Sequence, residues 1–254
     1  MQPVRHFPSP IGPGSAIEAF FGGAAFILTT PRVWPLAVIP AMILSVLWTG
    51  FTALAIWGAV ELSDSLIAPP RGTWAGIGYW TLVILFSALG ILLAALAALT
   101  LAQPLSGPAL ERISIAQQRK LTGTAPPQHP FLQSIWVSLK AVLFALATGG
   151  TAIVVLFFVN WIFPPAAVVT VPLKFLVGSW MLAWDFLDYP LGLRGLGVRA
   201  RLAWVWRNPG AFTMYGIIGA LFTVVPGAVL LLLPVGVAGA TRLVLKDDPR
   251  SGPQ

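Results

Sequence analysis

Trp74-Ala-Gly-Ile-Gly-Tyr-Trp-Thr-Leu-Val-Ile-Leu-Phe-Ser-Ala-Leu-Gly-Ile-Leu-Leu-Ala-Ala-Leu-Ala-Ala-Leu-Thr-Leu-Ala-Gln103 contains no charged residue, and the charge-free stretch extends from Gly72 to Leu110. A helix needs roughly 20 apolar residues to cross a hydrocarbon core about 30 Å thick. A helix in a soluble core keeps a polar face, which this stretch lacks. Three further stretches are free of charge: Val33 to Val60, Ala141 to Leu173 and Asn208 to Thr241. Charges gather in the gaps between them. The pattern is that of an all-α, multi-pass integral membrane protein.

Composition points the same way. Of the 254 residues, 57% are hydrophobic and 9% charged, against about 25% charged in soluble domains. Mean hydropathy is +0.85. The net charge of +7 is spread over helix ends, without a basic stripe interleaved with aromatics, so nucleic acid is not an expected partner. Basic loops beside membrane spans follow from the positive-inside rule. Cysteine is absent, which removes disulfides, thiolate metal sites and a Cys nucleophile. The two histidines, His6 and His129, lie in Pro-rich polar segments. Neither HExxH nor GxSxG nor a pair of intramembrane carboxylates occurs. Neither an enzyme, a metal nor a cofactor is expected. Met1 to Ser15 lacks a charged n-region followed by an apolar h-region, so a removed signal peptide is not expected.

Residues 15–246 read as one membrane domain between disordered tails at 1–14 and 247–254. Residues 15–29 form a short apolar helix suited to the interface. Thr30-Pro31-Arg32 breaks the chain, and residues 33–60 form a first span with Pro40 as a kink. A second span follows from Trp74, and its polar, basic continuation, Glu111 to Leu121, leaves the membrane as a soluble helix. Residues 131–163 and 166–187 are apolar helices joined by Pro164-Pro165. Residues 211–225 and 228–245 are joined by Pro226-Gly227. Neither junction carries a charge. At 1.5 Å per residue, 211–225 covers about 22 Å, short of a full crossing. The expected architecture is two long transmembrane helices plus two helical hairpins partly inserted in the bilayer, with interfacial amphipathic helices. One of these is 193–207, where Val198, Leu202 and Val205 share one face and Arg194 and Arg201 another. The 61–73 loop carries Arg71 and two acids, whereas the other gaps and the C-terminal tail are rich in Arg and Lys. Both termini are therefore expected to be cytoplasmic.

Few residues can carry chemistry. Ser106-Gly107-Pro108-Ala109-Leu110-Glu111 follows Pro104 and reads as a helix start: Ser106 is a good N-cap and Pro108 fits near N1. Free N–H groups and the helix dipole at such a start favour an anion, and Gly107 lets it approach the backbone. An ordinary helix restart after a kink explains the same residues. Arg32 can donate a bidentate pair to an oxyanion, or simply anchor the span at the interface. Lys174 lies inside an apolar stretch, so it is either a pore or interface charge or a snorkelling side chain. Asp188-Tyr189-Pro190 reads as a helix end. Arg242 falls near the end of the last helix, where a cation complements the dipole.

Two stretches resemble a known family. Ser179-Trp-Met-Leu-Ala-Trp184 with Asp188-Tyr189-Pro190, and Leu221-Phe-Thr-Val-Val-Pro226 with Pro234-Val-Gly-Val-Ala-Gly-Ala-Thr241, are similar to segments of the CysZ sulfate permeases and their etoposide-induced relatives. Gln103-Pro-Leu-Ser-Gly-Pro-Ala-Leu-Glu111 occupies the place of the family's Pro-Phe-x-Gly-Leu-Leu-Ala-Glu motif, with Pro108 and Ala109 where the family has Leu-Leu. Trp34-Pro35 stands where the family has Arg-Arg, which leaves Arg32 as the nearby cation. The resemblance implies a homo-oligomeric bacterial inner-membrane permease that moves sulfate, or a related inorganic oxyanion, inward for cysteine synthesis. It implies an anion site at Arg32, Ser106 and Gly107, with Glu111 positioning the helix. The alternative is a non-transporting membrane protein of the same fold, with a lipid-organising or assembly role.

Overall fold

In a computed structural model, residues 10–66, 72–125, 136, 139–140, 143–225 and 229–247 are described. Every regular element among them is helical: α1 (Pro13–Thr29), α2 (Trp34–Leu66), α3 (Thr73–Thr122), α4 (Thr151–Ile162), α5 (Ala167–Leu193), α6 (Val198–Arg207), α7 (Pro209–Phe222) and α8 (Val229–Lys246). A π-helical segment, Leu146–Gly150, leads into α4, and short 3-10 turns at Pro31–Val33 and Pro164–Ala166 precede α2 and α5. Four stretches are long and apolar enough to cross a membrane: Pro31–Leu66, Thr73–Thr122, Leu143–Ile162 and Pro164–Leu193. Between 6% and 17% of their most apolar windows is buried in protein. The remaining apolar surface needs lipid as its solvent, so this is an all-α integral membrane protein.

Contacts divide the chain into two compact units, Pro40–Leu105 and Met1–Ile39 with Ser106–Gln254. The smaller unit is held by a seam of its own. Ala59, Ser63, Val83, Ala94 and Ala98 are buried, while Leu54, Trp57, Leu92 and Leu96 are exposed. Its α2 and α3 stretches meet through small residues: a Cβ on Gly90 would stand 2.9 Å from that of Ala55. One polar clasp joins them near the loop, where the Tyr79 hydroxyl donates to Asp64 Oδ1 at 2.7 Å.

The larger unit holds the core. On helix α1, Ala16, Ala19, Phe20, Phe26 and Ile27 are buried against protein, while Ile17, Phe21 and Leu28 are exposed. It runs antiparallel to α8, with Gly23 facing Gly239 and Gly22 facing Arg242. A Cβ on Gly23 would collide with the Gly239 backbone. Such backbone-to-backbone approach is how helices associate where apolar burial alone gives little drive. Helix α7 meets α5 in the same way, with Gly216 against the Ser179 carbonyl. The Tyr215 hydroxyl donates to the Gly236 carbonyl at 2.5 Å. Its ring stands edge-on to Phe20 and Phe186 at 5.6 and 6.1 Å.

Several boundaries shift for local reasons. The tail expected at 1–14 already becomes helix at Pro13, a residue suited to a first helical turn, and the Ile11 N–H donates to Asn208 Oδ1 at 2.9 Å. Asp247, expected in the C-terminal tail, is buried and accepts a hydrogen bond from Arg207. Residues 1–9 and 248–254 lie outside the described residues, as do His6, His129 and Pro226.

Adding an isopropyl group where backbones touch should cost about 1–3 kcal/mol or more. Gly23→Val should therefore lower the melting temperature of the purified protein in detergent by several degrees. Gly14→Ala, with open space around its Cβ, should leave it unchanged.

Candidate functional site

Arg32 sits in the Pro31–Val33 turn. The turn is held by the Val33 N–H donating to the Thr30 carbonyl at 3.0 Å and by Trp34 Nε1 donating to the Ile27 carbonyl at 2.8 Å. Val33 is buried, whereas Arg32 is exposed and makes no hydrogen bond or ion pair with a described residue. A second cation reaches the same corner. Lys120 Nζ lies 3.4 Å from Thr30 Oγ1 and 5.2 Å from the centroid of Phe26. Arg112, Arg119 and Lys120 are exposed near the end of α3. The corner is basic, and lysine as the companion of Arg32 was not legible from sequence, where Lys120 served only to orient the loop.

Ser106 and Gly107 are buried, but no helix begins there: α3 is unbroken from Thr73 to Thr122. The expected N-cap at Ser106 is thus corrected. Pro104 and Pro108 are accommodated inside the helix, where each lacks the N–H that would bond four residues back. The interruption therefore presents the carbonyls of Thr100 and Pro104 rather than free amides, and carbonyls do not attract anions. Gly107 is also remote along the helix from Lys120, about 20 Å at 1.5 Å per residue.

The buried face of this helix is more informative. Ser106, Ser114 and Gln117 fall on one side with Leu110 and Ile113, and all five are fully buried. Ser114 Oγ and Thr241 Oγ1 share a hydrogen bond at 2.8 Å, reaching α8. Neither the Nε2 nor the Oε1 of Gln117 finds a partner among the described residues. Burying both ends of an amide unpaired is costly, and such a group calls for an explanation. Polar residues spaced along an apolar face are the sequence signal for it. Glu111, one position round the helix, is also buried.

Asp188-Tyr189-Pro190 does not end a helix. Helix α5 continues through Pro190 to Leu193. Asp188 is buried and paired with Arg201 of α6, whose Nε also donates to the Leu196 carbonyl at 2.7 Å. Arg201 therefore faces protein rather than water, which corrects the expected polar surface of 193–207. Burial holds its guanidinium below the ordinary pKa range. Tyr189 is partly buried against the core. Lys174 is half-buried on α5, and its ammonium lies 5.8 Å from the ring centroid of Phe157 on α4. An aromatic face thus shelters this charge within the hairpin.

At the α1–α8 seam, Glu18 Oε2 accepts from Lys246 Nζ at 2.5 Å. That bond and the Lys246 charge, with a smaller contribution from Arg242, hold the Glu18 carboxyl below its usual 4.5.

The match to known proteins falls on this frame. A family model described as Sulfate transporter CysZ/Etoposide-induced protein 2.4 matches residues 19–234. The chain belongs to this family. A protein of Pectobacterium atrosepticum named Sulfate transporter CysZ is 28% identical over 238 residues, covering 90% of this chain and 84% of the relative. One of the same name from Salmonella paratyphi A is 26% identical over 241 residues, covering 88% and 89%. Another from Pseudomonas fluorescens is 34% identical over 93 residues, covering 37% and 36%.

Removing one partner of the buried pair leaves an uncompensated charge, which costs about 3–5 kcal/mol. Asp188→Ala should lower the melting temperature sharply, and Asp188→Leu with Arg201→Leu should recover most of the loss. Because folding lowers the Glu18 pKa, its contribution is complete above 4.5 and is lost as pH falls through the folded value. In melting curves taken toward acid pH, Glu18→Gln should flatten the decline, by a small amount because the pair is exposed.

Proposed function

We propose that this protein is a bacterial inner-membrane permease for sulfate or a related inorganic oxyanion, with both termini in the cytoplasm and more than one copy in the working assembly. The observation that carries the proposal is the polar line on the buried face of α3. Ser106, Ser114 and the unpaired Gln117 lead toward an exposed basic corner. Sulfate at neutral pH carries two charges and strong acceptor oxygens. It is drawn in by exposed cations, then handed to neutral donors that can replace its water without trapping it.

In this reading Arg32, with Lys120 beside it, raises the local anion concentration and supplies a bidentate contact. Ser114 and Gln117 offer hydroxyl and amide donors along the line. Ser106 and Gly107 join them when the helix opens at its weakest turn, between Pro104 and Pro108, and frees amides for the anion. Glu111, being negative, positions the helix. Lys174, held against Phe157 in the α4–α5 hairpin, is a charge of the pore or of the interface between copies. Names of relatives support sulfate as the cargo, since the full-length matches are called sulfate transporters.

The test is labelled sulfate uptake into proteoliposomes beside empty liposomes. Saturable uptake is expected. Arg32→Ala should raise the half-saturation concentration about tenfold, the worth of one hydrogen bond to a charged group. Gln117→Leu should lower the maximal rate, and Gly107→Val should do so if the helix opens there. Sulfate should also raise the melting temperature in a saturable way. Folded protein that neither takes up nor is stabilised by sulfate would overturn the proposal and favour a non-transporting, lipid-organising role.

A further inference from the structure

An apolar groove of about 390 Å³ opens between the π-helical segment, α4, α5, α6 and α7. Its walls include Thr148, Gly149, Trp180, Trp184, Leu202 and Trp206. That size lies within the range of small-molecule sites. Three features show that the groove is built rather than left over. First, the backbone beside it is irregular: Leu146–Gly150 is a π-helical turn, a feature common at functional sites. It brings Gly149 so close to Met181 that a Cβ there would stand 2.5 Å from the sulfur. Second, the walls are almost wholly apolar, which suits a molecule that is mostly hydrocarbon. Third, α6 carries a charge on the helix face that meets the groove. Arg199 precedes Leu202 and Trp206 by three and seven residues, so it lies on the same helix face. It is exposed and has no ion-pair partner among the described residues, whereas Arg201 and Arg207 on the same helix are each paired with an aspartate.

We infer that the groove holds one phospholipid with an anionic headgroup. Its acyl chain lies along Trp180 and Trp206, and its phosphate meets Arg199. Charge complementarity selects this occupant, because a purely apolar partner would leave Arg199 idle. The side of the membrane agrees: Arg-rich segments face the cytoplasmic leaflet, where anionic lipids concentrate. A lipid seated here would bridge the α4–α5 hairpin to α6 and α7, and neither the transport reading nor its site depends on it.

Native mass spectrometry of delipidated full-length protein, titrated with phosphatidylglycerol or phosphatidylcholine, tests the inference. One phosphatidylglycerol adduct per chain is expected, favoured over phosphatidylcholine about fivefold, the effect of one Arg near an anionic surface. Arg199→Gln should abolish the preference without changing the fold, because the side chain is exposed and unpaired. Ala152→Phe, which fills the groove, should remove the adduct of both lipids. Equal binding of the two lipids by wild type would overturn the inference, as would an unchanged preference in Arg199→Gln. So would a change of oligomer mass in Ala152→Phe with lipid retained, which would make the groove an interface between copies. If Ala152→Phe fails to fold, Arg199→Gln alone decides.

Discussion

The core of this protein depends on backbones that touch. Where α1 crosses α8 and where α7 crosses α5, glycines leave no room for a side chain. In a bilayer the surrounding lipid is as apolar as leucine, so burying leucine against leucine contributes little between helices. Close van der Waals contact and a few well-placed hydrogen bonds must supply the difference. Tyr215 joins both contributions: its ring packs against Phe20 and Phe186, and its hydroxyl satisfies the Gly236 carbonyl. The same requirement explains why α1, too short to span, is nevertheless central. Its small-residue face is the partner that α8 needs.

Buried charge is used sparingly and for position. Asp188 and Arg201 fasten α6 to the end of α5, and Arg207 and Asp247 fasten its other end to the residue after α8. These pairs are worth little as net stability, because each ion surrenders its water, but either partner left alone would be costly. They therefore specify where α6 lies. With α6 in place, Leu202, Val205 and Trp206 come to the groove.

The polar line on α3 obeys the opposite rule. Ser106, Ser114 and Gln117 are neutral, and neutral donors can face a low-dielectric interior at lower cost than charges. An anion that must move cannot meet a fixed cation at every step, since binding too tight would arrest it. In the permease we propose, cations at the exposed corner and neutral groups inside would divide that work.

Sequence by itself determined that the chain lives in a bilayer. Charge-free runs longer than the hydrocarbon core leave no other solvent for them, and the family followed from motifs at 179–190 and 221–241. Composition cannot say which apolar surface meets protein and which meets lipid, because both are equally greasy. Only the tertiary structure decided which face of α1 meets protein and turned Arg201 inward. Pro104, Pro108 and Pro190 read as breaks because proline lacks an N–H, yet each sits within a continuous helix. Packing against neighbouring helices outweighs that local loss. Arg32 was legible as an exposed cation beside a span, but Lys120 as its companion was not, because ninety residues of chain separate Lys120 from Thr30 and only folding brings them together.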